Sequence, residues 1–196
     1  MPELTQEAWG PAGDASRHLA ADALEAGLRL LPAPPRDEGR LALIVRRRAD
    51  GVRETPAAVR LDVEDGLPGD GWSRRPPRKP DAQLAVMCRP LAELIAGGQP
   101  LSLFGDNLFV DLDLSAANLS EGTRLQVGEA VVAMTAEPHD GCLKFKERFG
   151  LDALRFVQDG ATRHENRRGV YWRVVESGEV QVGSPVRVLS RGGAPG

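Results

Sequence analysis

The sequence predicts a mainly β protein: a small closed or half-closed β-barrel with a few short α-helices and an N-terminal helix. Three observations carry this reading. The 22 glycines and 15 prolines cut the 196 residues into short pieces, which disfavours a bundle of long helices. Between the cuts lie short apolar or alternating runs bounded by turn residues. Two of them, Thr123 to Val127 and Ala130 to Ala136, flank the tight Gly128-Glu129 turn and read as a β-hairpin.

The elements follow in order. Asp14 is placed to cap a helix in which Leu19, Ala23, Leu24, Leu28 and Leu31 recur at helical spacing. Pro32, Pro34 and Pro35 stop it. Its apolar stripe must pack on the main body. Leu41 to Arg48 reads as a strand ending in charge, and Ala58 to Val63 alternates into a loop rich in turn residues. The basic, Pro-broken stretch Arg74 to Lys79 reads as an exposed, mobile loop. Gln83 to Cys88 is an apolar strand, followed by a short helix that opens on Pro90 and ends at Gly97-Gly98. A turn at Gly105-Asp106-Asn107 leads to a strand at Leu108 to Val110. After the hairpin, the segment from Glu137 to Gly150 turns from strand to helix. Gly169 to Glu176, Glu179 to Val182 and Ser184 to Ser190 close the chain as three strands. Residues 1–39 are then a helical extension, 40–191 the barrel domain and 192–196 a flexible tail.

Composition narrows the function. A net charge of −3 and a pI near 5.7 disfavour a nucleic-acid or anionic-membrane binder. No apolar run reaches the roughly 20 residues of a membrane span. The first residues carry no secretory pattern, so a cytoplasmic, reducing setting with free thiols at Cys88 and Cys142 is expected. His18, His139 and His164 are scattered and form no metal motif.

Cys142 is the chemical focus. With Asp140 as helix cap, the thiol would sit in the first turn, where free N–H groups and the helix dipole favour thiolate. Lys146 would share its face, Lys144 would point elsewhere, and His139 would stand ready to exchange a proton. Leu143 and Phe149 would root the helix. A plain reading stays open beside this one, in which Cys142 is a small core residue. Asn107 is either a left-handed turn former or a ligand contact. Arg167 and Arg168 are either solvated rim charges or an anion clamp. Trp72 is either a lid or a loop anchor, and Cys88 reads as buried and inert.

Four features occur in order. They are the turn Phe104, Gly105, Asn107, Leu108; the hairpin Gly122 to Leu125 with Gly128 to Val131; the segment Pro138, Gly141, Cys142, Lys144; and the closing run from Arg168 to Val186. Together, over roughly Gly39 to Leu189, they resemble a MOSC domain, the module named after the C-terminal part of molybdenum-cofactor sulfurases. The resemblance implies a barrel of the pyruvate-kinase type. It implies that Cys142 either carries sulfur as a persulfide or ligates the molybdenum of a molybdopterin cofactor, at which some relatives reduce N-hydroxylated substrates. Gly105, Asn107, Lys144 and Arg168 match positions near the family's pocket. The chain departs from the family at Gly69-Asp70-Gly71-Trp72, where many members carry Gly-Asp-Arg-His. It departs again at Lys79-Pro80-Asp81-Ala82, where many carry His-Gly-Gly.

Three functions are therefore expected in competition. One is a molybdenum-cofactor oxidoreductase fed by a redox partner protein, since no flavin, haem or iron–sulfur motif is present. The second is a persulfide carrier acting with a cysteine desulfurase. The third is a non-catalytic ligand-binding barrel.

Overall fold

A computed structural model describes residues 9–193. Eleven strands run in chain order: β1 (Glu38–Ile44), β2 (Arg46–Arg47), β3 (Arg53–Glu54), β4 (Ala58–Leu61), β5 (Leu84–Cys88), β6 (Leu108–Val110), β7 (Arg124–Val127), β8 (Ala130–Met134), β9 (Val170–Glu176), β10 (Gly178–Gln181) and β11 (Pro185–Ser190). Five α-helices intervene: α1 (Ala21–Leu30), α2 (Gly71–Arg74), α3 (Arg89–Ala96), α4 (Leu143–Phe149) and α5 (Leu151–Gln158).

Seven strands close a barrel in the order β1-β11-β7-β8-β9-β5-β6, and two small ribbons, β4-β10 and β2-β3, attach to it. The expected hairpin is β7-β8, with Leu125 opposite Val132 and Val127 opposite Ala130. Every barrel pairing is antiparallel except β5-β6, where Val86 aligns with Leu108. Helix α3 makes the crossover that a parallel pair requires.

Strand alternation divides the apolar side chains between two cores. Val86, Leu108, Leu125, Val132, Trp172 and Val174 fill the barrel. Met87, Phe104, Phe109, Phe145 and Phe149 lie outside it, under α1, α3, α4 and α5. Because both faces of β5 are covered, its run of four buried residues shows no polar alternation. The outer core is aromatic: Phe104 stacks on Phe149 with centroids 4.1 Å apart and meets Phe145 edge-on at 5.9 Å.

The N-terminal helix differs from the expected single run. Asp14 caps only a 3-10 turn, Ala15–Arg17, and α1 starts at Ala21 without a side-chain cap. The break comes at His18, whose backbone is extended and whose Nε2 lies 3.2 Å from the carbonyl of Arg148. The expected docking of this helix is seen, with Leu24 wholly buried. The strand expected at Leu41 to Arg48 is split at Val45, whose N–H still donates to the Asn107 carbonyl at 2.7 Å, while Arg46 and Arg47 beyond it pair with β3 instead of β6. At the other end Gly192 is tied to Thr123 and Ser120, so the ordered body extends beyond residue 191. The rest of the expected tail, 194–196, lies outside the described residues. No described helix is long and apolar enough to cross a membrane.

Candidate functional site

Helix α4 begins later than the sequence suggests. Cys142 is itself the N-cap, with extended backbone (φ −123°, ψ 179°) and no side-chain capping bond. Asp140 instead reaches Arg163 at 3.1 Å. The neighbouring helix sets this start. A Cβ on Gly141 would lie 2.4 Å from Leu154 of α5, and Gln158 Nε2 donates to the Gly141 carbonyl at 2.8 Å. The chain is thus held extended against α5 until Cys142. Cys142 therefore lies outside the helical repeat, and the side chains around it fall differently from the expectation. Lys144 shares a pocket with Cys142 and Lys146 does not. Leu143 is 59% exposed, and Phe145 with Phe149 roots the helix. Cys142 is exposed rather than a core residue.

The pocket holds about 230 Å³. Arg47, Arg48, Arg53, Arg75, Lys144, Arg148 and Arg168 line it, against one carboxylate, Asp140. His139, Tyr171, Gly105 and the aromatic group Phe104, Phe145 and Phe149 complete the lining. Of the residues singled out from the sequence, Gly105, His139, Cys142, Lys144 and Arg168 therefore come together here.

Two of these cations are neutralised from the barrel side. Arg47 donates Nε to both oxygens of Asp70 (3.0 and 3.1 Å), also meets that carboxylate through Nη2, and gives Nη1 to the Gly105 carbonyl at 2.9 Å. Burial opposes ionisation of Asp70, but the bonds from Arg47 outweigh it and hold the carboxyl below its usual range. The departure Gly69-Asp70-Gly71-Trp72 thus supplies a buried counter-charge. Arg168 is buried, not a solvated rim charge. Its Nη1 donates to both oxygens of the fully buried Asp106 at 3.0 and 2.8 Å, and its plane lies over Phe145.

The His139 ring is buried in the pocket wall. Its side chain is 5% exposed, and its Nδ1 is 3.6 Å from Asp106 with no hydrogen-bond partner. Its ring packs on Tyr171 at 4.4 Å. Burial first, then Arg168 and Arg47, push its pKa well below 6.5, so the ring is neutral at pH 7. The buried Nε of Arg168 also lacks a partner.

The cations on the helix side are different. Arg53, Lys144 and Arg148 meet no carboxylate among the described residues. Arg148 gives its donors to the carbonyls of Pro11 (3.0 Å), Leu103 (2.7 Å) and Trp9 (3.1 Å), which fix its plane without cancelling its charge. Lys144 Nζ lies 4.4 Å above the Trp9 ring. Burial and the charges of Arg148 and Arg47 lower Arg53 to about 10, still cationic at neutral pH. Burial and the same cationic crowding lower Lys144.

Asn107 stands apart from the pocket, so the reading of it as a cofactor contact is corrected. It is wholly buried, its Oδ1 accepts from the Ala85 N–H at 3.1 Å, and its Nδ2 donates to the Val45 carbonyl at 3.3 Å. Nor is it a left-handed turn former, since Asn166 is the one described non-glycine residue with positive φ. It pins β1 to the β5-β6 seam beneath the pocket. Trp72 anchors the basic loop, with Nε1 on the Lys79 carbonyl at 3.0 Å and Arg78 over its ring. Burial pushes the Cys88 thiol up to about 11, away from reactivity.

Sequence reasoning missed Arg47, Arg53, Arg148, Asp70 and Asp106. The only local signal was Asp70 in its glycine loop, where an acid between turn residues caps α2 through the Trp72 N–H.

Comparisons with known proteins fit this geometry. The family model for the MOSC domain matches residues 79–187. The uncharacterised protein YflK of Bacillus subtilis is 37% identical over 98 residues, 48% of this chain, and the match spans only 41% of YflK's length. The crystal structure of YuaD from Bacillus subtilis superposes with a TM-score of 0.58 at 18% identity, covering 76% of this chain and 94% of that one. YiiM from Geobacillus stearothermophilus gives 0.54 at 18% identity, covering 79% and 76%. These structures share the fold, and the family model assigns the rest: the chain belongs to the MOSC domain family.

Proposed function

We propose that the pocket binds a phosphorylated molybdopterin cofactor and that Cys142 Sγ is the protein ligand of its molybdenum. One observation carries this reading: three uncompensated cations, Arg53, Lys144 and Arg148, line the same small pocket as an exposed thiol. Such cations need a multiply charged anion, and guanidinium forks suit phosphate. A soft thiolate suits a soft metal. Among the described residues no group of three His, Cys, Asp or Glu side chains could hold an ion, so a metal here must arrive already chelated.

When bound, the cofactor would supply two-electron chemistry at its metal. The chain's own parts are simpler. Arg53, Lys144 and Arg148 bind the phosphate. Phe104, Phe145 and Phe149 exclude water from one wall. Neutral His139 completes the wall without adding to its charge. A redox partner protein would deliver the electrons.

Exposure of Cys142 also favours a second reading, a persulfide carrier. The thiolate would attack the persulfide of a cysteine desulfurase, forming Cys142–S–SH and releasing the desulfurase thiolate.

Molybdenum analysis of wild type and Cys142→Ser from a molybdopterin-competent host tests the first reading. Near-stoichiometric metal in the wild type, lost in the variant, is expected. Metal-free wild type that gains a persulfide only when Cys142 is present would establish the second. As an independent check on metal-free protein, inorganic pyrophosphate should slow alkylation of Cys142 by iodoacetamide.

A further inference from the structure

The segment from Trp9 to His18 precedes the residues matched by the family model, 79–187, yet it touches cations that line the pocket. Arg148 donates Nε to Pro11 and Nη2 to Trp9. These carbonyls flank Gly10, whose φ of +87° suits glycine, and a Cβ there would lie 2.8 Å from Arg53 Nη2 and 3.2 Å from Arg148 Nη2. The Trp9 indole N–H donates to Glu147 at 3.0 Å while its face supports Lys144. Behind the strap, the Asp14 N–H donates to Gln99, and Gln99 donates to the Arg148 carbonyl. Every uncompensated cation of the pocket is therefore touched by this strap or would be displaced by a side chain on it.

We propose that residues 9–18 complete the anion site, with Gly10 and Trp9 as positioning residues for Arg53, Arg148 and Lys144. This rests on the pocket's being an anion site. Two of the five N–H groups of Arg148 are engaged by strap carbonyls and a third by the Leu103 carbonyl, which fix the fork but leave its charge and two donors for a ligand. Carbonyls are suited to this task, because a carboxylate would cancel the field that the ligand must feel. Trp9 acts likewise, since an aromatic face attracts an ammonium without neutralising it. The ligand class is a compact polyanion, a phosphate monoester or diphosphate, held by the cations that the strap positions.

The test uses the full-length protein and inorganic pyrophosphate, with affinity read by calorimetry and folding by circular dichroism. Gly10→Val should weaken pyrophosphate by about tenfold, because both guanidinium groups must move. Trp9→Ala should weaken it about threefold, and Trp9→Phe should restore it by returning a ring beneath Lys144. Wild-type affinity in a folded Gly10→Val overturns the proposal. If Gly10→Val does not fold, Trp9→Ala decides: wild-type affinity there, or a loss that Trp9→Phe does not rescue, overturns it. Wild-type protein that binds no pyrophosphate overturns the anion-site reading itself, and this inference with it.

Discussion

The two walls of the pocket solve opposite problems with the same residue type. On the barrel side, Arg47 and Arg168 are locked to the buried carboxylates Asp70 and Asp106. On the helix side, Arg53 and Arg148 face the same space without counter-charge, and Lys144 rests on an indole. Desolvated charge is tolerated only when paired, so the barrel-side pairs are scaffolding whose charge is internally balanced. The helix-side cations have no carboxylate partner and repel one another, and Arg148, buried at 3% exposure, is held by carbonyls instead, so this wall gives up stability for a field. Neutralisation, more than position, separates structure from function here.

The sharpest way to break this contrast is to remove a barrel-side counter-charge. Asp106→Ala strands Arg168 in the interior and should cost about 3–5 kcal/mol in urea unfolding. Asn107→Ala should cost about 1–3 kcal/mol, since two backbone groups at the seam lose their partner. The pH profile sharpens the picture. His139 is neutral when folded, with a pKa well below 6.5, and more readily protonated when unfolded. Stability should therefore fall as pH drops below about 6.5, with a slope approaching ~1.4 kcal/mol per pH unit. His139→Phe should lack this component. Asp70 is displaced in the same direction, but from the lower ordinary value of a carboxylate, so its contribution should persist to lower pH and vanish only as pH falls through its depressed folded pKa. The smallest stability effect belongs to the helix side: Arg53→Met should change unfolding free energy by less than about 0.5 kcal/mol. The same substitution should weaken pyrophosphate binding about tenfold.

Much of the barrel was legible. β6 lies at Leu108–Val110 as expected, and the β7-β8 turn stands at Gly128-Glu129, because strand and turn signals are local. The site was legible only where it coincided with a motif, at Gly105, His139, Cys142, Lys144 and Arg168. Its electrostatics depend on partners far apart in sequence: Arg168 and Asp106 are separated by 62 positions, and Arg148 and Trp9 by 139. No periodicity encodes such pairs, so buried arginines looked like solvated ones. The start of α4 escaped for the same reason, since it is fixed by Leu154 and Gln158 of the following helix.

Strand number has a consequence of its own. Neighbours in a closed ring of antiparallel strands must alternate in direction, and a ring of seven cannot alternate throughout. One parallel junction is forced by parity, and here it is β5-β6. A parallel junction demands a crossover, and α3 fills it, supplying Leu91 and Ile95 to the outer core against which the N-terminal extension docks. The same junction puts Gly105 in the pocket wall, with Asp106 and Asn107 buried behind it. An even-numbered, wholly alternating ring would have no such fault line, and so no built-in place for this site.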